Sequence, residues 1–82
     1  MITHQLKTWR AYFEAVERGE KTFEVRRNDR DFAVGDKLEL REYDPTRCSY
    51  TGRWLTCTVT YCMAGGAFGI APDYCVLGIK LP

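Results

Sequence analysis

Hydrophobic and polar residues alternate along most of the chain, which predicts a fold built mainly from short strands. The alternation runs through residues 22–27, 37–43, 53–63 and 74–81, and residues 2–7 form a further extended segment. Because side chains along a strand point to opposite faces in turn, each segment offers one apolar face to a core. The residues that later strands are predicted to bury are Leu38, Leu40, Leu55, Cys57, Val59, Tyr61, Met63, Cys75, Leu77, Ile79 and Leu81.

A single helix is predicted between the first two strands. Thr8 stands where an N-cap residue would stand, and Gly19 suits the left-handed conformation that ends many helices. Apolar residues at helical spacing between them predict one packed face, which consists of Trp9, Tyr12, Phe13 and Val16. The aromatic residues predicted to lie in the core are Trp9, Tyr12, Phe13, Phe23 and Phe32.

Turn residues separate the predicted strands at 28–31, at Gly35 and in the glycine-rich segment 64–69. Segment 64–69 lacks the Lys-Ser/Thr ending of a phosphate-binding loop, so it favours a turn in which backbone approaches backbone. The whole pattern predicts an α+β, mainly β fold. We expect a small barrel of about five to six mostly antiparallel strands, capped by one N-terminal helix, with residues 1–82 as a single domain.

Unlike charges concentrate on the predicted strand 22–27. Alternation there places Glu24 and Arg26 on one face and sends Phe23 and Val25 toward the core. Lys21 precedes the strand, so the charged face carries a carboxylate between two cations. This face is the first candidate for a binding site.

Composition narrows the classes of function. The chain has 82 residues and a net charge of +1, so attraction to nucleic acid requires a local basic cluster rather than a field around the whole molecule. No apolar stretch reaches the roughly 18 residues needed to cross a bilayer, and the polar first residues do not resemble a signal peptide. We therefore expect a cytoplasmic protein without a membrane partner.

The four cysteines do not predict a metal site. Cys48, Cys57, Cys62 and Cys75 include no Cys-x-x-Cys pair, and His4 is the only histidine. Cys57 and Cys62 differ by an odd number on one predicted strand, so their side chains should point to opposite faces. We expect free thiols that pack as small apolar groups, with no metal and no cofactor.

Several short motifs together resemble one known group of domains. They are His4-x-Leu6-Lys7, Phe13, Gly19-x-Lys21-x-x-Glu24-x-Arg26, Val34-Gly35-Asp36, Tyr50-Thr51-Gly52-Arg53 and Gly65-Gly66. This series resembles the ASCH domain group of the PUA-like superfamily, in particular small bacterial and phage proteins described as RNA-binding-like. The resemblance implies a PUA-like β-barrel with a cleft between barrel and helix, lined by Lys21, Glu24 and Arg26, and a role in RNA binding.

The same resemblance offers an enzymatic alternative. One branch of the ASCH group is similar to an amidohydrolase that removes acyl groups from modified cytidine with a lysine, a threonine and a glutamate. Lys21 fits the lysine position and would act as general base, with Glu24 in electrostatic support, but Glu24 stands where that branch has its threonine. The comparison therefore favours binding over catalysis. A third alternative is a surface that binds another protein.

On physical grounds the charged cluster has two interpretations. It is either a set of solvated surface ion pairs, each contributing about 0–1 kcal/mol, or a site where Lys21 and Arg26 contact phosphate and Glu24 accepts a hydrogen bond from a base amine. Further basic or polar residues extend the candidate site for RNA or a nucleotide-like ligand, and one exposed aromatic residue is a candidate for base stacking. These added candidates are Lys7, Arg27, Asn28, Arg30 and Trp54.

Overall fold

Five strands and one helix make up the computed structural model, which describes residues 1–82. In chain order the elements are β1 (Thr3–Trp9), α1 (Arg10–Glu17), β2 (Phe23–Arg27), β3 (Lys37–Asp44), β4 (Ser49–Ala64) and β5 (Tyr74–Lys80). The predicted mainly β fold with one N-terminal helix is therefore confirmed. The helix is eight residues long, and no helix in the structure has the length and apolar character needed to cross a membrane.

All five strands belong to one sheet in the order β1-β3-β4-β5-β2. Strands β1 and β3 run parallel, and the other three neighbouring pairs are antiparallel. The sheet curls into a half-barrel, and β1 and β2 remain its two edges because no ladder of backbone hydrogen bonds joins them. Closure of the barrel, which the strand pattern predicted, is therefore not reached. The open seam between β1 and β2 is the feature that positions the candidate site.

The core fills the concave side of the sheet beneath helix α1. Inward positions alternate along β1, β3 and β5, as the sequence predicts for β3 and β5, and the curl brings these side chains together with the apolar side of the helix. The buried apolar residues are Leu6, Phe13, Val16, Phe32, Leu38, Leu40, Cys57, Val59, Cys75, Leu77 and Ile79.

The N-cap of helix α1 lies one residue later than predicted. Trp9 is the N-cap residue, and no side chain caps the helix, whereas Thr8 is the last inward residue of β1 and is buried. Gly19 follows the helix with φ +77°, so its predicted role as the stop is confirmed. Phe13 and Val16 are buried, but the prediction that Trp9 and Tyr12 pack in the core is wrong, because each remains about half exposed.

The prediction for the faces of β2 is reversed. Glu24 is buried, whereas Phe23 and Val25 are 46% and 48% exposed. The cause is the pairing of β2 with β5, in which Glu24 lies beside the buried Leu77 and Phe23 lies beside the outward Gly78. Alternation alone predicts that Phe23 and Val25 face the core, but the register of the pairing with β5 determines which face of β2 is buried.

A bulge in β4 reverses the predicted faces of its last residues. The register between β4 and β5 shifts between Val59 and Tyr61, so Tyr61 points to solvent and Cys62 packs against the core. The expectations that Tyr61 faces the core and that Cys57 and Cys62 lie on opposite faces are therefore wrong. One extra residue in a strand shifts the period-two pattern by one position, and Thr60 is that residue here.

The glycine-rich loop brings backbone close to backbone, as predicted. A Cβ atom at Gly65 would overlap the carbonyl oxygens of Ala71 and Tyr74, so only glycine fits there. The amide of Gly66 donates to the carbonyl oxygen of Ile70 at 2.8 Å, which closes the turn that leads into β5.

Candidate functional site

The open seam of the half-barrel forms a cleft of about 510 Å³. Its walls come from the two edge strands, and the first turn of helix α1 forms one end. Its lining residues are Lys7, Thr8, Trp9, Tyr12, Lys21, Phe23, Glu24, Val25 and Arg26. Because the sheet stays open at this place, charged groups that a closed barrel would have to exclude are held beside its core.

Glu24 lies at the floor of the cleft, with only 5% of its side chain exposed. Its Oε1 accepts a hydrogen bond from Nζ of Lys21 at 2.8 Å, and its Oε2 accepts one from Nε of Arg26 at 3.2 Å. A buried carboxylate is tolerated because two cations neutralise it from opposite sides. The ion pairs are part-buried rather than fully solvated, since the side chains of Lys21 and Arg26 are only 17% and 22% exposed.

Arg26 also reaches across the seam to β1. Its Nη2 donates to the carbonyl oxygen of Lys7 at 2.9 Å and to Oγ1 of Thr8 at 3.2 Å. Beyond the end of β2, Nη1 of Arg30 donates to the carbonyl oxygen of Gln5 at 2.9 Å. Two guanidinium groups thus bond to carbonyl groups of the β1 edge, in the place that a pairing strand would take in a closed barrel.

Apolar side chains beside this charged floor remain exposed. Trp9, Tyr12, Phe23 and Val25 are each between 46% and 54% exposed, and all four line the cleft. Nζ of Lys21 lies 4.9 Å from the centre of the Phe23 ring, so one wall pairs a cation with an aromatic face. The cleft therefore offers flat apolar surfaces next to fixed positive charge.

The structure brings four of the predicted site residues together and separates the other four. Lys7, Lys21, Glu24 and Arg26 line the cleft. The remaining predicted residues, Arg27, Asn28, Arg30 and Trp54, lie outside it.

Each of these outer residues has its own local environment. The guanidinium of Arg27 lies 5.9 Å from the centre of the Tyr74 ring, and the backbone amide of Asn28 donates to the carbonyl oxygen of Asp73. Arg30 bonds across the seam to the backbone of β1. Trp54 is 63% exposed on β4 and borders a second groove of about 230 Å³, whose other lining residues are Arg41, Tyr50, Gly52 and Arg53.

Sequence reasoning missed part of the cleft wall. The pattern predicts Thr8 as a helix cap, and it predicts Trp9 and Tyr12 as core residues because aromatic residues at helical spacing usually pack. Val25 was assigned to the core by strand alternation. No local pattern in the sequence indicates that these side chains line a cleft, because the edge position of β2 follows from its pairing with β5.

The two cations of the cleft donate hydrogen bonds to other groups of the protein. The ammonium of Lys21 donates to Glu24 and also to the carbonyl oxygen of Phe23 at 2.6 Å. The hydroxyl of Thr8 accepts from the guanidinium of Arg26, which is not a general base. No group of three or more histidine, cysteine or acidic residues is placed to hold a metal ion.

Outside the cleft, Asp36, Glu42 and Asp44 are also buried carboxylates. Oδ2 of Asp36 lies 2.8 Å from Nε2 of His4, and the bond from His4, followed by the backbone amides of Ile2 and Ala33, lowers the pKa of Asp36 from its ordinary value of 3.8. This network ties the start of β1 to the turn before β3. It gives His4 a structural role.

Glu42 lies fully buried beneath helix α1. Its Oε1 accepts from the hydroxyl of Thr51 at 2.6 Å, and its Oε2 has no hydrogen-bond partner although Nη1 of Arg53 lies 3.6 Å away. Arg53 in turn pairs with Glu17 at the end of the helix. Arg53 on β4 therefore lies between two carboxylates, Glu17 at the end of the helix and the buried Glu42.

Residues 3–79 match the model of a family described as a domain of unknown function, DUF3850. The chain belongs to this family. A comparison with curated proteins found no match. The DUF3850 segment runs from the first residue of β1 almost to the end of β5, so it includes every residue that lines the seam cleft. The family description itself assigns no activity to the cleft.

Proposed function

We propose that this DUF3850 domain is a binding module for RNA or a nucleotide-like ligand, and that the ligand occupies the seam cleft. The observation that carries the proposal is a pair of cations, Lys21 and Arg26, fixed on one buried carboxylate inside a concave site walled by exposed aromatic rings. A nucleotide combines an anionic phosphate with a flat base, and these two features match the two surfaces of the cleft.

The phosphate would contact the basic side of the cleft. Lys7, Lys21 and Arg26 contribute three positive charges around the single negative charge of Glu24, so the local balance is basic although the whole chain is nearly neutral. Arg26 already uses Nε and Nη2 within the protein, which leaves Nη1 free to donate to a ligand. Ammonium and guanidinium groups are the common donors to phosphate oxygens.

The base would stack on the apolar side. Trp9, Tyr12 and Phe23 are exposed within the cleft. Large apolar rings in contact with water are unfavourable for the unbound protein, so covering them with a base would be favourable. Stacking of one base on an aromatic side chain contributes about 1–3 kcal/mol and tolerates any base, because every base has a flat face. Glu24 retains unused lone pairs that can accept from a base amine, but its main contribution is to hold Lys21 and Arg26 in place.

Membership of the ASCH group is part of the same proposal. Two features support it: the curled, mainly β half-barrel with a helix beside the cleft, and the meeting of Lys21, Glu24 and Arg26 in that cleft. We also place the protein in the cytoplasm, because four free cysteines are typical of a reducing compartment.

The test is a titration with mixed-sequence RNA at low salt, followed through backbone amide chemical shifts. We expect shifts at Lys7, Lys21 and Arg26, and a binding constant that falls steeply as salt rises. Lys21→Gln should weaken binding about tenfold, whereas the matched control Lys80→Gln, which removes an exposed lysine at the end of β5, should leave it unchanged. Unchanged shifts in the cleft, or equal effects of the two variants, would overturn the proposal.

A further inference from the structure

Two rows of basic and aromatic side chains cross the outer face of β1, β3 and β4. The strand register places Lys7 beside Arg41 and Arg41 beside Trp54, so these three form one row. In the next row, Trp9 lies beside Tyr43 and Tyr43 lies beside Tyr50. We call these six residues the outer rows. None belongs to the buried core, and Trp54, Tyr50 and Trp9 are 63%, 54% and 53% exposed.

Contacts within the outer rows hold the rings in place. Nζ of Lys7 lies 4.4 Å from the centre of the Tyr43 ring, and the rings of Tyr43 and Tyr50 meet edge to face with centroids 5.2 Å apart. Side chains packed in this way lose little further freedom when a ligand arrives. The outer rows are thus a preorganised surface.

The outer rows continue directly from the seam cleft. Lys7 and Trp9 belong to both, since they line the cleft and begin the two rows. Neighbouring strands lie about 4.8 Å apart, so each row extends about 10 Å from the cleft across β3 to β4. A ligand that fills the cleft would therefore meet the outer rows if it were longer than one nucleotide.

The charge of this face suits a polyanion. Lys7 and Arg41 stand among the rings, and Arg53 lines the groove beside Trp54. Two carboxylates offset part of this charge, because Glu39 pairs with Arg41 at 2.8 Å and Glu17 pairs with Arg53. Nη1 and Nη2 of Arg41 remain available, since its bond to Glu39 uses Nε.

We propose that the outer rows are a second subsite for single-stranded RNA, which would run from the seam cleft across β1, β3 and β4. Bases would stack on Trp9, Tyr50 and Trp54, while Lys7 and Arg41 contact phosphates. This inference rests on the proposed function of the cleft. Unpaired bases are required because paired bases do not present their flat faces. The cations Lys7 and Arg41 between the rings, and the continuity of the outer rows with the seam cleft, favour a polyanion as the occupant.

The experiment compares a mononucleotide with a longer strand. Affinities for uridine monophosphate and for an oligouridylate of about eight nucleotides are measured at low salt by calorimetry or fluorescence. We expect the oligouridylate to bind more tightly. Trp54→Ala should weaken oligouridylate binding about five- to 150-fold and leave mononucleotide binding unchanged.

Two controls separate the subsite from general effects. Phe68→Ala removes a ring that is 91% exposed in the loop after β4, and it should leave both affinities unchanged. Arg41→Gln should weaken oligouridylate binding and reduce the slope of its salt dependence by about one. Thermal unfolding of each variant, monitored by circular dichroism, identifies the variants that remain folded.

The outcomes distinguish failure of this inference from failure of the proposed function. In one outcome, Lys21→Gln weakens mononucleotide binding, but the oligouridylate binds no more tightly than the mononucleotide or its binding does not change in Trp54→Ala. This outcome would overturn the outer rows as a subsite and leave the cleft as the binding site. Oligouridylate binding that needs Trp54 but not Lys21 would overturn the cleft and support the outer rows. Binding of neither ligand would overturn both.

Discussion

Arg26 and Lys7 lie on the two edges of the sheet, and Nη2 of Arg26 donates to the carbonyl oxygen of Lys7 at 2.9 Å although their strands do not pair. The long side chain spans a gap too wide for a backbone ladder. It also joins the floor of the cleft to its far wall, because the same guanidinium bonds to Glu24. Arg26 thus both lines the cleft and joins its two walls.

Replacing this guanidinium should loosen the seam. We expect Arg26→Gln to lower the free energy of unfolding by about 1–2 kcal/mol, since the lost bonds are charge-assisted but the side chain is 22% exposed. Urea unfolding followed by circular dichroism measures this change. The matched variant Arg41→Gln loses only an exposed pair with Glu39 and should change stability by less than about 0.5 kcal/mol. Similar values for the two variants would mean that the seam bonds contribute nothing.

The variant Glu24→Gln tests whether Glu24 positions the two cations or merely repels phosphate, because the two roles predict opposite changes in RNA affinity. If Glu24 merely repelled phosphate, Glu24→Gln would strengthen RNA binding by removing a negative charge. We expect weaker binding instead, because the variant removes the charge that holds Lys21 and Arg26 in position. We also expect a loss of about 1–3 kcal/mol in the free energy of unfolding. Titration at two salt concentrations and urea unfolding measure the two effects, and tighter binding would refute the positioning role.

The parts of the fold that depend on local pattern could be predicted from the sequence. Leu38 and Leu40 of β3, and Cys75, Leu77 and Ile79 of β5, are buried as alternation requires. Gly19 ends the helix, because a positive φ costs glycine little. The motif around Lys21 likewise brought its three charged residues together. In each case the sequence feature that makes the prediction lies within a few residues of the structural feature that it predicts.

The errors concern features that depend on distant residues. Whether Glu24 or Phe23 turns inward is decided by the pairing of β2 with β5, some fifty residues later in the chain, and no residue of β2 reveals that register. The bulge at Thr60 has a similar cause, since the side chain of Thr60 lies against Gly78. The open seam also could not be predicted, because strand order does not follow chain order.

The loop before β5 provides a steric test. Gly65→Ala would push a Cβ atom into the carbonyl oxygens of Ala71 and Tyr74, so we expect it to cost more than about 3 kcal/mol of stability. Gly69→Ala, in the same loop, meets no atom within 4 Å and carries only the strain of φ +79°, about 1–2 kcal/mol. Thermal unfolding of the two variants should rank them in this order. The reverse order would show that space at Gly65 is not limiting.

The thiols should differ in reactivity with the fold intact. Burial, with a smaller effect from the charge of Glu24, raises the pKa of Cys57 to about 11, whereas Cys48 is exposed. Because the thiolate is the reactive form, iodoacetamide at about pH 8 should alkylate Cys48 and leave Cys57 unmodified until urea unfolds the chain. Mass spectrometry of peptides locates the label. Equal labelling rates for Cys48 and Cys57 in the folded protein would contradict the burial of Cys57.

Acid should weaken the network between β1 and the turn before β3. Asp36 accepts hydrogen bonds from His4 and two backbone amides, which lower its pKa in the folded state below the value of about 3.9 expected for the unfolded chain. A carboxyl with a lowered folded pKa stabilises the fold above its unfolded pKa, and this contribution is lost as the pH falls through the folded pKa. We therefore expect Asp36→Asn to destabilise the protein at pH 7. The difference in the free energy of unfolding from the wild type should shrink below about pH 4.

Urea unfolding across this pH range measures the effect, with Asp31→Asn as the exposed control that should keep the wild-type pH dependence. A difference for Asp36→Asn that persists undiminished at about pH 2 would show that packing, rather than the charge of this carboxylate, is what the network needs.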